Sequence, residues 1–206
     1  DQVSVVAELV RTACAGQDRA EVRLVQALLE PAQRLESQAL TEAAFEDLAT
    51  LIYMQRSAAV PWTPLALDPT IQIHHWHERH RQRFADAIGA SYQQTRDCPS
   101  LVGLRTMADI IAGHQSAGVF DPNLWFALSC ADEPVGVLLL NKMPQRHALE
   151  LVYLGIAPKW RMRDLARQLL EHGLALAQRC RLPNMLLAVD QANAPALGMY
   201  RSLNFT

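Results

Sequence analysis

The residues best suited to chemistry lie between Glu150 and Phe205. Arginines crowd the segment Pro158-Lys159-Trp160-Arg161-Met162-Arg163-Asp164-Leu165-Ala166, with Glu150 on the apolar run before it and Asn193 and Tyr200 after it. A strand that ends at Pro158 and turns into a helix at about Arg163 exposes amide groups without helical partners, and it carries about half a positive charge at that end. Arg161, Arg163 and Arg167 add mobile positive charge around it. The turn therefore suits a large anion; taken by itself it also reads as an ordinary strand-to-helix connection with solvated arginines. Tyr200 offers a phenol with a pKa of about 10, able to give a proton or a hydrogen bond. Asn193 stands where it can cap the helix that carries Tyr200. Glu150 is a candidate base, and equally an edge carboxylate.

These groups need a scaffold, and the apolar pattern supplies one. Leu165, Leu169, Leu170, Gly173 and Ala177 recur at steps of three and four, which predicts a helix after the turn. Strands are predicted around 71–75, 124–130, 135–140, 148–156 and 185–189. Helices are predicted over 78–92 and 106–117, the second with Thr106 as its cap and Gly118 beyond its end. Strands first, then strand–helix–strand, imply a mixed α/β sheet with helices on both faces. Ser57 to Pro69 carries Pro61, Pro64 and Pro69, breaks every periodic pattern and reads as a linker.

Composition narrows the function. The chain has 206 residues, 50% hydrophobic and 19% charged, with a net charge of −2. That is an ordinary globular composition, with no electrostatic attraction toward nucleic acid or an anionic membrane. No apolar run approaches the roughly 20 residues of a spanning helix, and a cytoplasmic protein is the simplest expectation. Cys14, Cys98, Cys130 and Cys180 are too scattered for a zinc site or a disulfide framework. Cys98 has no identifiable histidine partner for a nucleophilic role. The run His74-His75-Trp76-His77-Glu78-Arg79-His80 invites a metal, but Arg79 and Arg81 oppose a cation, and no metal is expected.

The order of these motifs resembles the GCN5-related N-acetyltransferase (GNAT) superfamily. The Pro158–Ala166 segment is similar to its pyrophosphate turn, and Asn193-Ala194-Pro195-Ala196-Leu197-Gly198-Met199-Tyr200-Arg201-Ser202-Leu203-Asn204-Phe205 to its Asn…Ala…Tyr…Leu-Gly-Phe helix. The resemblance implies a mixed, mainly antiparallel sheet and acyl transfer from acetyl-CoA to a primary amine by direct attack. It implies that Arg161, Met162, Arg163, Asp164, Leu165 and Ala166 hold the pyrophosphate. Leu154, Gly155 and Ile156 would bind pantetheine through their backbone, with an amide near Leu154 facing the developing oxyanion. Asn193 would contact the pantetheine arm, Tyr200 would protonate the leaving thiolate, and Glu150 would act as a base through water. The loop holding Asp97, Cys98, Pro99 and Ser100 falls where such proteins shape the acceptor pocket. The turn departs from the family pattern, with Met162 and Asp164 where glycines are usual. Glycine takes positive φ without steric cost. A carboxylate near an anion at 4 Å costs about 1 kcal/mol in water and up to about 4 at an effective dielectric of 20. The departure favours a second reading, a catalytically weak or inactive acyl-CoA-binding module. Beyond acyl-CoA and an amine of unknown structure, no nucleic-acid or membrane partner is expected, and a homodimer is allowed.

Residues 1–45 align with 161–205 without a gap. Val5, Leu9, Val10 and Ala13 match the later helix, Val25, Ala27 and Leu29 match Met185, Leu187 and Val189, and Phe45 matches Phe205. Leu40 stands opposite Tyr200, and Gln33 opposite Asn193, so the earlier copy lacks the chemistry. The layout resembles mycothiol-synthase-like tandem GNAT proteins. Residues 1–56 then read as the second half of a degenerate copy, 57–69 as a linker and 70–206 as the acyltransferase domain without its final strands, with Asp1 and Thr206 as cut ends. Within the first copy, helices are expected at 1–15 and 32–44, and strands at 22–29 and 48–54 that pair with each other.

Overall fold

The structure, a computed structural model, describes residues 1–17, 22–59 and 67–206. Pro61 and Pro64 of the expected linker lie outside the described residues. The chain divides into two compact units, one of residues 1–48 with 100–105, the other of 49–99 with 106–206.

In the first unit, helix α1 spans Gln2–Ala15, and the Asp1 carboxylate accepts the Ser4 amide at 2.9 Å as its cap. Helix α2 spans Arg34–Glu42. Each buries one alanine, Ala7 and Ala39, and Arg11 donates to the Glu42 carbonyl at 3.1 Å. The expected strand over 22–29 is not formed: residues 22–30 have no regular element, and Val22, Val25 and Leu28 are exposed. A strand is held by its ladder, and the partner expected for this one pairs elsewhere.

That partner is β1, Leu51–Ser57, which belongs to the second unit and pairs antiparallel with β6, Asn184–Asp190, from Leu51 opposite Asp190 to Ser57 opposite Asn184. The other strands are β2 (Ile71–His75), β3 (Trp125–Cys130), β4 (Glu133–Met143) and β5 (Ala148–Ile156). They form one six-stranded sheet in the order β1-β6-β5-β4-β3-β2. Only the β5–β6 junction is parallel. The mixed, mainly antiparallel sheet is the one expected. On the outer edge of β1, Gln55 and Thr206 exchange backbone hydrogen bonds at 2.7 and 3.0 Å.

Alternation along β4 sends side chains to two cores. Leu138 and Leu140 join Leu169, Leu170 and Leu174 of helix α5, Leu165–Arg179. Val137 and Leu139 join Phe84 and Ile88 of helix α3, Arg81–Tyr92, and Ile110 and Ile111 of helix α4, Met107–Ser116. Thr106 caps α4 in a reciprocal box with Asp109. Helix α6 spans Ala194–Ser202. Among the described residues no helix is long and apolar enough to cross a membrane.

The α2 and α6 segments share local structure as well as sequence spacing. Gln33 bonds back to Glu30 as Asn193 does to Asp190, and Phe45 donates to Leu40 as Phe205 does to Tyr200. Ala44 and Asn204 follow the two helices at φ 66° and 60°.

Candidate active site

The site begins where two parallel strands part. β5 and β6 pair from Ala148–Asn184 to Leu151–Leu187, and there the pairing stops, although β5 runs on to Ile156 and β6 to Asp190. Register against β4 shifts at the same level: Leu139 faces Tyr153 while Leu140 faces Leu151, which leaves Val152 as an extra residue. A bulge of this kind re-aims the strand and ends pairing on its far side. The fork opens into a cavity of about 920 Å³ whose walls include Leu154, Gly155 and Ile156 on β5, Ala188 and Val189 on β6, and Tyr200 on α6.

At the open end of β5 the chain makes a short 3-10 turn, Pro158–Trp160, and enters α5 at Leu165, two residues later than the spacing suggested. Met162 and Asp164 adopt φ of 63° and 59°, the left-handed conformation glycine would take without strain. Met162 is fully exposed, and the Asp164 side chain makes no capping hydrogen bond. Asp164, Leu165, Ala166 and Arg167 all line the cavity, so the first turn of α5 faces it with its amides uncapped by that carboxylate.

The arginines do not behave as mobile charge. Arg161 donates to the Ile156 carbonyl at 3.0 Å, to Ser91 at 3.0 Å, to Gln93 at 2.8 Å and to Gln94 at 3.3 Å. A planar guanidinium with five donors suits that task, and here it ties the end of α3 to the end of β5. Arg163 lies over the Trp160 ring at 4.7 Å, and Arg167 binds Glu171 and Ser202.

Tyr200 is buried beside Phe205, and its hydroxyl makes no hydrogen bond among the described residues. Burial, with the charge of Asp97 adding to it, pushes its phenol well above the ordinary range, so it stays protonated at neutral pH. Asn193 caps α6, accepting the Ala196 amide at 3.4 Å, and also lines the cavity. Glu150 is half-buried on β5 opposite Asn141; burial raises its carboxyl, partly offset by Arg146, and it does not line the cavity. The histidines serve local structure: His74 bonds Ser129 at 2.9 Å, His77 accepts the Arg79 amide and His80 bonds the His75 carbonyl. Among the described residues no cluster of metal-binding side chains forms.

One wall residue, Tyr153, has no sign in the sequence. The Tyr153 hydroxyl lies 2.8 Å from Ser91 Oγ, which itself donates to the Ile88 carbonyl, so Tyr153 is the donor to Ser91. Burial raises its phenol strongly despite that bond, and its ring stacks on His114. Gly155 fits only because it lacks a side chain: a Cβ there would come within 2.6 Å of Ser91 Cβ and 2.7 Å of the Tyr153 hydroxyl. Asp97, from the loop after α3 that the resemblance sets beside the acceptor, also lines the cavity; burial, and then the nearby charge of Asp190, raise its carboxyl. A tyrosine outside any motif carries no local signal of its partner.

Residues 90–205 match the family model described as the acetyltransferase (GNAT) family. The chain is 43% identical over 56 residues to the mycothiol acetyltransferase of Acidothermus cellulolyticus, covering 27% of this chain and 17% of that protein. It is 33% identical over 82 residues to the peptidyl-lysine N-acetyltransferase YjaB of Salmonella typhimurium, covering 40% of this chain and 49% of that protein. The chain therefore spans less than half the length of either curated relative. Among solved structures, a GCN5-related N-acetyltransferase from Sphaerobacter thermophilus superposes with a TM-score of 0.60 at 16% identity, over 85% of this chain and 54% of that one. The ribosomal-protein-S18-alanine N-acetyltransferase of Escherichia coli gives 0.50 at 17% identity, over 66% of this chain and 77% of that one. At such identities the likeness is one of fold.

Proposed function

This chain belongs to the acetyltransferase (GNAT) family, and we propose on that footing that it moves an acetyl group from acetyl-CoA to a primary amine. The observation that carries the reading is the β5–β6 fork, which opens a cavity running from the start of α5 to Tyr200. The uncapped first turn of α5 would receive the pyrophosphate, where Arg161, Met162, Arg163, Asp164, Leu165 and Ala166 form the turn and helix start. Below it the free edge of β5 would offer the backbone groups of Leu154 to the pantetheine arm; alternation turns Gly155 toward β4, as Ala157 two residues on donates to the Val135 carbonyl, and the Ile156 carbonyl is already engaged by Arg161. Asn193 borders the same passage.

Transfer then needs only the acceptor nitrogen, the thioester carbonyl and a proton donor. The amine attacks, the C–N bond forms as the C–S bond breaks, and Tyr200 protonates the departing thiolate. Burial keeps the phenol protonated across the neutral range but makes it a weaker acid, so the proton would pass only as negative charge develops on the departing sulfur. An amide near Leu154 would steady the oxyanion. Glu150 stands outside the cavity lining and has no step in this reading. The reading carries with it a cytoplasmic location.

A second reading, a binding module with weak turnover, draws on Met162 and Asp164, whose left-handed backbone and side chains burden the anion turn. Titration with acetyl-CoA and with desulfo-CoA, followed by thiol release against a panel of amines, separates the two. Binding without thiol release favours the module. Release only when an amine is present supports the enzyme. No binding refutes both.

A further inference from the structure

Of the two carboxylates that line the cavity, Asp164 stands at the start of α5 and Asp97 stands where both tyrosines feel its charge. The loop bearing Asp97 is pinned to the end of β6 by a reciprocal exchange. Asp97 Oδ1 accepts the Asp190 amide at 3.1 Å, while Asp190 accepts the Cys98 amide at 3.0 Å and the Ala192 amide at 2.8 Å. The Asp97 amide is in turn held by Thr95 Oγ1 at 3.1 Å. Its Oδ2 receives no hydrogen bond among the described residues, and neither Arg nor Lys bridges to it. A part-buried carboxylate that lines a cavity, with one oxygen unbonded and no cation of its own, is costly to the fold. It fits a cation that arrives with the ligand.

We propose that Asp97 is the amine-binding carboxylate of the acceptor site, receiving the ammonium of a primary amine beside the β5–β6 fork and taking the proton that frees its lone pair. This rests on the acetyl-transfer reading above and deepens it by naming the group that meets the amine, since a cation offsets burial of that charge better than a neutral hydroxyl or thiol does. The step balances. The ammonium gives one proton to Asp97, which passes it to solvent. The nitrogen bonds to the carbonyl carbon, the thiolate leaves and takes the Tyr200 proton, and the second amine proton restores Tyr200. The raised carboxyl of Asp97 suits brief proton custody, and Tyr153, held through Ser91, walls the same space. Glu150, outside the cavity lining, serves as the control.

The test uses the whole chain. Acetyl-CoA binding to wild type, Asp97→Asn and Glu150→Gln is measured by calorimetry, followed by thiol release with butylamine, benzylamine and alaninamide. We expect Asp97→Asn to bind acetyl-CoA within about twofold of wild type while its amine KM rises about 10- to 100-fold, the loss of one charged hydrogen bond. Glu150→Gln should match wild type in both. An unchanged amine KM in Asp97→Asn, or the same loss in Glu150→Gln, overturns the assignment. Loss of acetyl-CoA binding in Asp97→Asn does so too, since the carboxylate would then serve the loop. A wild type that binds acetyl-CoA yet acetylates none of the three amines overturns the amine site alone, whereas one that binds no acetyl-CoA overturns the reading beneath it.

Discussion

Arg161 donates to the backbone carbonyl of Ser91 at 3.0 Å, joining the turn before α5 to the last residues of α3. The same side chain holds the Ile156 carbonyl at the tip of β5. One guanidinium thus fixes the distance between two walls of the cavity. Arg161→Ala should destabilise the protein by about 2–3 kcal/mol, roughly the value of one well-placed charged hydrogen bond with the others partly replaced by water. Arg161→Lys should recover less than half, because an ammonium cannot span four carbonyls. Thermal unfolding measures both, and full recovery in the lysine variant would remove geometry as the reason.

Met162 and Asp164 occupy left-handed backbone, a conformation that costs most residues about 1–2 kcal/mol and aspartate less. Met162→Gly should therefore stabilise the fold, and Asp164→Gly should do so by a smaller margin. Both should tighten acetyl-CoA binding, and the gain from Asp164→Gly should shrink in high salt because part of it is charge. Weaker binding by the glycine variants in calorimetry would show that these side chains organise the turn.

Tyr200→Phe keeps the ring that packs beside Phe205 and removes only the hydroxyl. The unfolding temperature and acetyl-CoA affinity should stay near wild type while turnover falls about 10²- to 10⁴-fold, the usual contribution of a general acid. Wild-type turnover in this variant would take Tyr200 out of the mechanism.

Asp97 should weaken the fold at neutral pH. Burial raises its carboxyl above the ordinary value, so the folded protein holds this proton more tightly than the unfolded chain does. Stability from this group is present in full below the unfolded pKa, about 3.9, and is lost as pH rises through the higher folded value. Asp97→Asn mimics the protonated form and can still accept the Asp190 amide. Its unfolding temperature should exceed that of wild type at pH 7, with the gap closing toward pH 4. Equal temperatures at both pH values would mean the carboxylate is not strained. A higher temperature joined to poorer amine binding is the signature of a group kept for function.

Local signals were readable in the sequence, and long-range ones were not. Thr106 announces its helix because the cap lies three residues from its partner, Asp109. Asn193 and Tyr200 read as a pair because both sit on one short helix, α6 and its cap. Arg161 reads as mobile charge beside the turn, while its acceptors come from α3 and β5 and leave no local sign. Val22 to Leu29 has the composition of a strand, but composition cannot name a partner, and β1 went to β6 instead. Tyr153 gains meaning only when the fork brings it to one cavity with Asp97, whose loop alone was legible.

The β1–β6 ladder joins segments more than half the chain apart, Leu51 with Asp190 and Ser57 with Asn184. Contacts of such separation form slowly, because the entropy of closing the intervening chain must be lost before the ladder rewards it. During synthesis β1 emerges first and waits with a bare edge until β6 has been made. β6 is also one arm of the fork, so its position depends on that late pairing. The arm of the cleft beyond Leu187, where β5 no longer pairs with β6, therefore gains its remaining ladder only when β1 has closed onto it.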